Sequence, residues 1–115
     1  MASEISATLH GIPIGDAQSP GRLATANIVT DDGTDTILYT VPTLPGLNYL
    51  ICSISLCNRA NVAATNVSIA ISSTDTPSPS EFIEYNSTIV PKGVLERTQL
   101  VASIGDRIII RVGTA

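Results

Sequence analysis

Short stretches in which every second residue is apolar recur along this chain, and they predict strands rather than helices. The longest spans 47–58, where Cys52, Ile54 and Leu56 share one side of the pleat while Ser53 and Ser55 share the other. Val67, Ile69 and Ile71 alternate in the same way with Ser68, Ala70 and Ser72. Further strands are predicted over 22–30, 36–41, 81–90, 94–101 and 107–112, about seven in all, and no segment sustains helical spacing. In the last of them, Ile108 and Ile110 are assigned to the core, and Ile109 to the outer face beside Arg107 and Arg111. The punctuation agrees: Asp31-Asp-Gly-Thr34 suits a tight hairpin between the first two strands, Pro42 and Pro45 force a loop, and 74–80 reads as an exposed loop. Val, Ile and Thr make up 36 of 115 residues, and their branched side chains suit a pleated surface. The expected fold is all-β, a single antiparallel β-sandwich of jelly-roll or Ig-like type.

The first residues break this rhythm. Gly11, Pro13, Gly15, Pro20 and Gly21 crowd a segment that still carries Ile5, Leu9, Ile12 and Ile14. The expectation is an extended N-terminal arm over 1–21 and a sandwich domain over 22–115. Ile5, Leu9, Ile12 and Ile14 are then the candidate residues for contact with a partner, because a lone arm has no core of its own.

Composition narrows the function classes. A chain of 115 residues holds one domain, and 14% charged residues with 43% hydrophobic ones excludes the usual signature of disorder. The net charge of −4 and six scattered basic residues argue against a nucleic-acid partner. A charge-free run covers 36–58, but Pro42, Pro45, Gly46 and the alternating polar residues defeat a membrane-spanning reading. The N-terminus has no basic, apolar pattern of an export signal, so the product is expected to stay where it is made.

Candidate chemistry is thin. His10 is the single histidine, with no acid or cysteine near it in sequence, and neither a catalytic triad nor a phosphate-cradling glycine motif can be assembled. Cys52 and Cys57 fall on opposite faces of one strand and are read as reduced thiols, neither bridged nor ligating zinc. Asp31, Asp32 and Asp35 are read as a solvated turn rather than a calcium site. Glu81 and Glu84 are read as pointing apart, and the sequons at Asn66 and Asn86 as unmodified. No catalytic residue, cofactor or metal is therefore expected. What remains is a surface with little charge, 25 Ser and Thr, and a mean hydropathy of +0.31, which points to self-association.

Five segments in succession carry a resemblance: Thr36-Ile-Leu-Tyr-Thr-Val-Pro42, Ser53-Ile-Ser-Leu-Cys-Asn-Arg59, Val67-Ser-Ile-Ala-Ile71, Pro91-Lys-Gly-Val-Leu-Glu-Arg97 and Gly105-Asp-Arg-Ile-Ile-Ile-Arg111. Together they resemble small virion structural proteins of tailed bacteriophages over residues 35–113. The resemblance implies a protein made in the host cytoplasm and incorporated into the virion, foremost a capsid decoration (cement) protein bridging capsomers. Its expected partners are other copies of itself, clustered around a three-fold axis, and the major capsid protein or another virion protein. A tail, neck, baseplate or fibre component is the alternative. A glycan-binding module is weaker, since Tyr39, Tyr49, Phe82 and Tyr85 are the only aromatic residues available to stack on sugars.

Overall fold

The structure, a computed structural model, describes residues 4–15, 21–29 and 32–113. Eight strands form two antiparallel sheets: β1 (Ile5–Gly15), β2 (Gly21–Ile28), β3 (Asp32–Thr40), β4 (Leu47–Asn58), β5 (Ala64–Ser72), β6 (Phe82–Ile89), β7 (Val94–Ser103) and β8 (Arg107–Gly113). Sheet I has the order β2-β1-β4-β7 and sheet II the order β3-β8-β5-β6. The chain crosses between sheets after β2, β3, β4, β6 and β7, which leaves two local hairpins, β1/β2 and β5/β6. The β-sandwich expected from the alternation is present. It has four strands in each of its two sheets.

The core lies between the sheets and follows the period of two. From sheet I it takes Ile5, Leu9, Ile54 and Leu56, and from sheet II Val67, Ile69, Ile108 and Ile110, all fully buried. Burying side chains of this size contributes about 1.5–3 kcal/mol each. Asn58, the largest buried polar side chain, is satisfied by donating to the carbonyls of Val62, Ile89 and Val90.

The N-terminal segment departs from its expectation. Residues 5–15 are a strand of the sandwich, paired with β2 on one side and along its whole length with β4 on the other, so among the described residues the segment expected as an arm is part of the domain. The glycines and the proline that read as loop signals have packing roles. A Cβ on Gly11 would lie 2.5 Å from Leu23 Cδ1 and 2.9 Å from Leu50 Cδ1, so glycine is what lets these side chains close over the strand. Pro13 is buried in β1, where it pairs with Leu50 of β4.

A second correction concerns the Asp-Gly turn. β2 and β3 do not pair as a hairpin but belong to different sheets, so the turn is a corner between layers. Asp32 Oδ1 accepts the Thr34 N–H at 3.1 Å there, a local bond that suits a corner as well as a hairpin. Asp31 lies outside the described residues.

Candidate interaction faces

A sandwich has two outer faces, and here they differ. On sheet I the outward positions form rows across β1, β4 and β7: Ile14 beside Tyr49 and Ser103, then Ile12 beside Ile51 and Val101, His10 beside Ser53, Thr8 beside Ser55 and Glu96, and Ser6 beside Cys57 and Val94. β2 adds Arg22, Thr25 and Asn27 at the edge. One end of the face is therefore apolar, and the rest is mostly Ser and Thr with His10, Glu96 and Cys57 among them and an exposed Val94 at the far end. Ile12 is 50% exposed and Val101 59%, and they flank Ile51 from either side along one row. A shallow trough of about 350 Å³ runs between these rows, bounded by His10, Ile12, Ile51, Ser53, Thr98 and Gln99. Gln99 adopts a positive φ of 57° at a bulge in β7, which interrupts the row there.

Among the described residues, Arg22 and Glu96 are the charged side chains that face outward from these strands, with Glu4 and Arg59 just beyond the ends of β1 and β4. Arg59 donates its backbone N–H to the Glu4 carbonyl at 2.8 Å, and its guanidinium to Asn27 Oδ1 at 2.5 Å. Among the described residues these four are two charges of each sign, and Lys92, in the turn before β7, donates through Nζ to the Arg59 carbonyl at 2.7 Å at the same end.

Of the four residues predicted to contact a partner, Ile5 and Leu9 face the core and are fully buried. Their partner is the chain's own second sheet. Ile12 and Ile14 lie on the outer face of sheet I, where they meet Ile51 and Tyr49 of β4. The contribution of Tyr49, Ile51 and Val101 to that patch was missed, because it needs the register of β1 on β4 and of β4 on β7.

The outer face of sheet II is covered by its own chain over β5 and β8, while Ile37 on β3, paired with Ile109, stays 43% exposed. Arg107 donates through Nε to Asp75 Oδ1 at 2.9 Å and through a terminal nitrogen to the Ser73 carbonyl at 2.6 Å, which holds the loop over 73–81 against the sheet. The loop is stiffened by Glu81, whose Oε1 accepts from the Ser78 N–H at 2.7 Å and the Ser72 hydroxyl at 2.9 Å and whose pKa these bonds lower. Pro77 is buried beneath. Arg111 grips Asp35 with two bonds of 2.7 and 3.2 Å and lies 5.1 Å from the centre of the Phe82 ring, and the ion pair raises its pKa. Under this layer Ile109 is only 1% exposed. It does occupy the outer side of β8 as expected, but the loop and the arginines bury it, which corrects its reading as a solvent-facing residue.

The same layer leaves a groove of about 500 Å³ lined by Pro77, Pro79, Phe82, Tyr85 and Arg111. Phe82 and Tyr85 meet edge to face at 5.1 Å, and Tyr85 is 62% exposed. At the edge where β6 and β7 face each other, Glu84 of sheet II binds Arg97 of sheet I, and the Ser87 hydroxyl followed by Arg97 holds the Glu84 carboxyl below its usual range. Glu81 and Glu84 have separate partners and do not act as a pair.

The two cysteines lie on opposite faces of β4 as free thiols. Burial pushes the Cys52 thiol up to about 11, which leaves it without thiolate character at neutral pH. Among the described residues, no group of three or more His, Cys, Asp and Glu side chains is placed to hold a metal ion, and no helix is long and apolar enough to cross a membrane. In comparisons with protein families, curated proteins and solved structures, the chain matches none.

Proposed function

We propose that this chain is a structural subunit that works by burying the outer face of sheet I against another protein subunit. On the resemblance of its strand and turn segments, its setting is the particle of a tailed bacteriophage, as a decoration protein on the capsid. The observation that carries the reading is the face itself: Ile12, Tyr49 and Val101 are exposed on a flat sheet that presents few charges. Covering such a surface gains about 25 cal/mol for each Å² of apolar area removed from water. Repeated over many copies, a modest contact of this kind holds a shell together by avidity. Ile5 and Leu9 take no part in such a contact, since they serve the chain's own core.

The test is co-sedimentation of the purified protein with undecorated shells. Wild-type protein is expected in the particle fraction and an Ile51→Lys variant in the supernatant. Wild-type protein that stays soluble beside shells, tails and baseplates alike would remove the virion reading, and binding to tails alone would move it to the tail.

One observation favours a second reading. The groove at Tyr85 and Phe82 offers an exposed aromatic ring beside a guanidinium, within the size range of small-ligand sites, and so could seat a sugar. A glycan array without hits would dispose of it.

A further inference from the structure

The face of sheet I can be followed to a specific occupant. We propose that it packs on the same face of a second copy of this chain, about a two-fold axis that lies in the interface and runs along the strands; this rests on the reading of sheet I given above. Such a rotation exchanges the sides of the sheet while keeping each row at its own height. β2 of one copy then lies over β7 of the other, and β1 over β4.

Three features of the face agree with that axis. The apolar end meets the apolar end, with Ile12 over Ile51 of the second copy and Ile14 over its Tyr49, each contact occurring twice. Arg22 is carried over β7 of the second copy, one outward row from its Glu96, about 7 Å along the strand and within reach of an extended arginine. Glu4 is carried across from Arg59 of the second copy, since the two residues flank paired ends of β1 and β4. All four charges thus find an opposite sign. An in-plane axis across the strands instead lays β2 on β2, sets Arg22 toward Arg22, and turns the Ile and Tyr rows onto the Ser and Thr rows.

The size is also sufficient. Four strands about 4.8 Å apart, overlapping over about ten residues of 3.3 Å, present roughly 600 Å² on each copy. The total of roughly 1,200 Å² clears the roughly 1,000 Å² expected of a specific interface. Two sheets meeting in this way would be rotated by about 30° relative to each other, as in other aligned sheet packings.

Sedimentation equilibrium of the full chain tests the proposal, with wild type, Arg22→Glu, Glu96→Arg, the double reversal and Ile51→Lys. The wild type is expected as a dimer. Each single reversal places like charges together twice and should weaken Kd about tenfold or more, while the double reversal should return it to within about threefold of wild type. Ile51→Lys should be a folded monomer by thermal melting, and Ile12→Ser serves in its place if that variant does not fold. A double reversal as weak as the single ones overturns the register. A wild type that is monomeric at all concentrations yet binds shells through Ile51 overturns the second copy as partner and keeps the functional reading, and one that is monomeric and ignores particles overturns both.

Discussion

The two sheets have four strands each and share one core, yet their outer faces have been finished by different means. Sheet II is covered from within the chain: the loop over 73–81 is tied down by Arg107, Arg111 is fastened to Asp35 and stacked on Phe82, and Ile109 disappears beneath them. Among the described residues sheet I has no such cover, and its Ile12, Tyr49 and Val101 stand at the surface, as Ile37 does at the β3 edge of sheet II. Apolar outward residues occur on both faces, so their presence alone says little. What separates an internal layer from a surface for a partner is whether the same chain supplies the lid. Self-coverage also explains the use of charge: the ion pairs of sheet II fix its own loop, whereas the charges of sheet I are arranged around an open field.

Several substitutions test that contrast. The largest effect is expected for Ile109→Lys, which forces an ammonium group beneath the loop of sheet II and should lower stability by more than about 3 kcal/mol in urea unfolding. A loss below about 1 kcal/mol would mean that the loop lifts away easily and that sheet II is as open as sheet I. Asp35→Ala should cost about 1 kcal/mol, because it leaves the half-buried Arg111 without its carboxylate while the Phe82 contact remains.

Acid unfolding is the next largest probe, at the edge between the sheets. The Glu84 carboxyl has a lowered pKa in the folded protein, so its contribution is present above the ordinary glutamate value near 4.3 and is lost as pH falls through the lower folded value. A Glu84→Gln variant should be less stable than wild type at neutral pH and should lose that part of the acid-side slope, so that the two converge as pH falls through the lower folded value. An unchanged slope would remove the carboxylate from the link between sheets. The smallest effect on folding is expected for Ile12→Lys on sheet I, within about 0.5 kcal/mol of wild type, with assembly as the property that is lost. Destabilisation comparable to Ile109→Lys would show that Ile12 is already covered within a single chain.

Much of the fold was legible. The strands from 47–58 onward follow the period of two closely, because each has one wet and one dry side and a one-residue slip would expose its whole core set. Two features resisted. β1 shows the same alternation, Ile5, Ala7 and Leu9 against Ser6, Thr8 and His10, but Gly11, Pro13 and Gly15 outweighed it. Local breaker statistics do not register that a glycine makes room for Leu23 and Leu50 from neighbouring strands, or that a proline is buried in a strand beside Leu50. The corner at Asp32-Gly33 looked like a hairpin because turn chemistry is local, while the choice of sheet for the next strand is made by tertiary packing. The interaction face was only half visible: Ile12 and Ile14 were selected from the sequence, but Ile51, Tyr49 and Val101 join them through pairings between residues far apart in the chain, such as Ile12 with Ile51 and Ile51 with Val101.

The chain carries its own probe of the central claim, that the outer face of sheet I is buried in the working assembly. Cys57 lies on that face between Ser6 and Val94, partly exposed, whereas Cys52 faces the core of the same strand. The rate of alkylation of Cys57 can be compared between dilute protein and assembled protein, with Cys52 as the internal standard. Protection of Cys57 by about tenfold or more on assembly, with Cys52 slow in both states, is the predicted result. Equal Cys57 rates in the dilute and assembled states would contradict the claim, since the face would then be open to water in both.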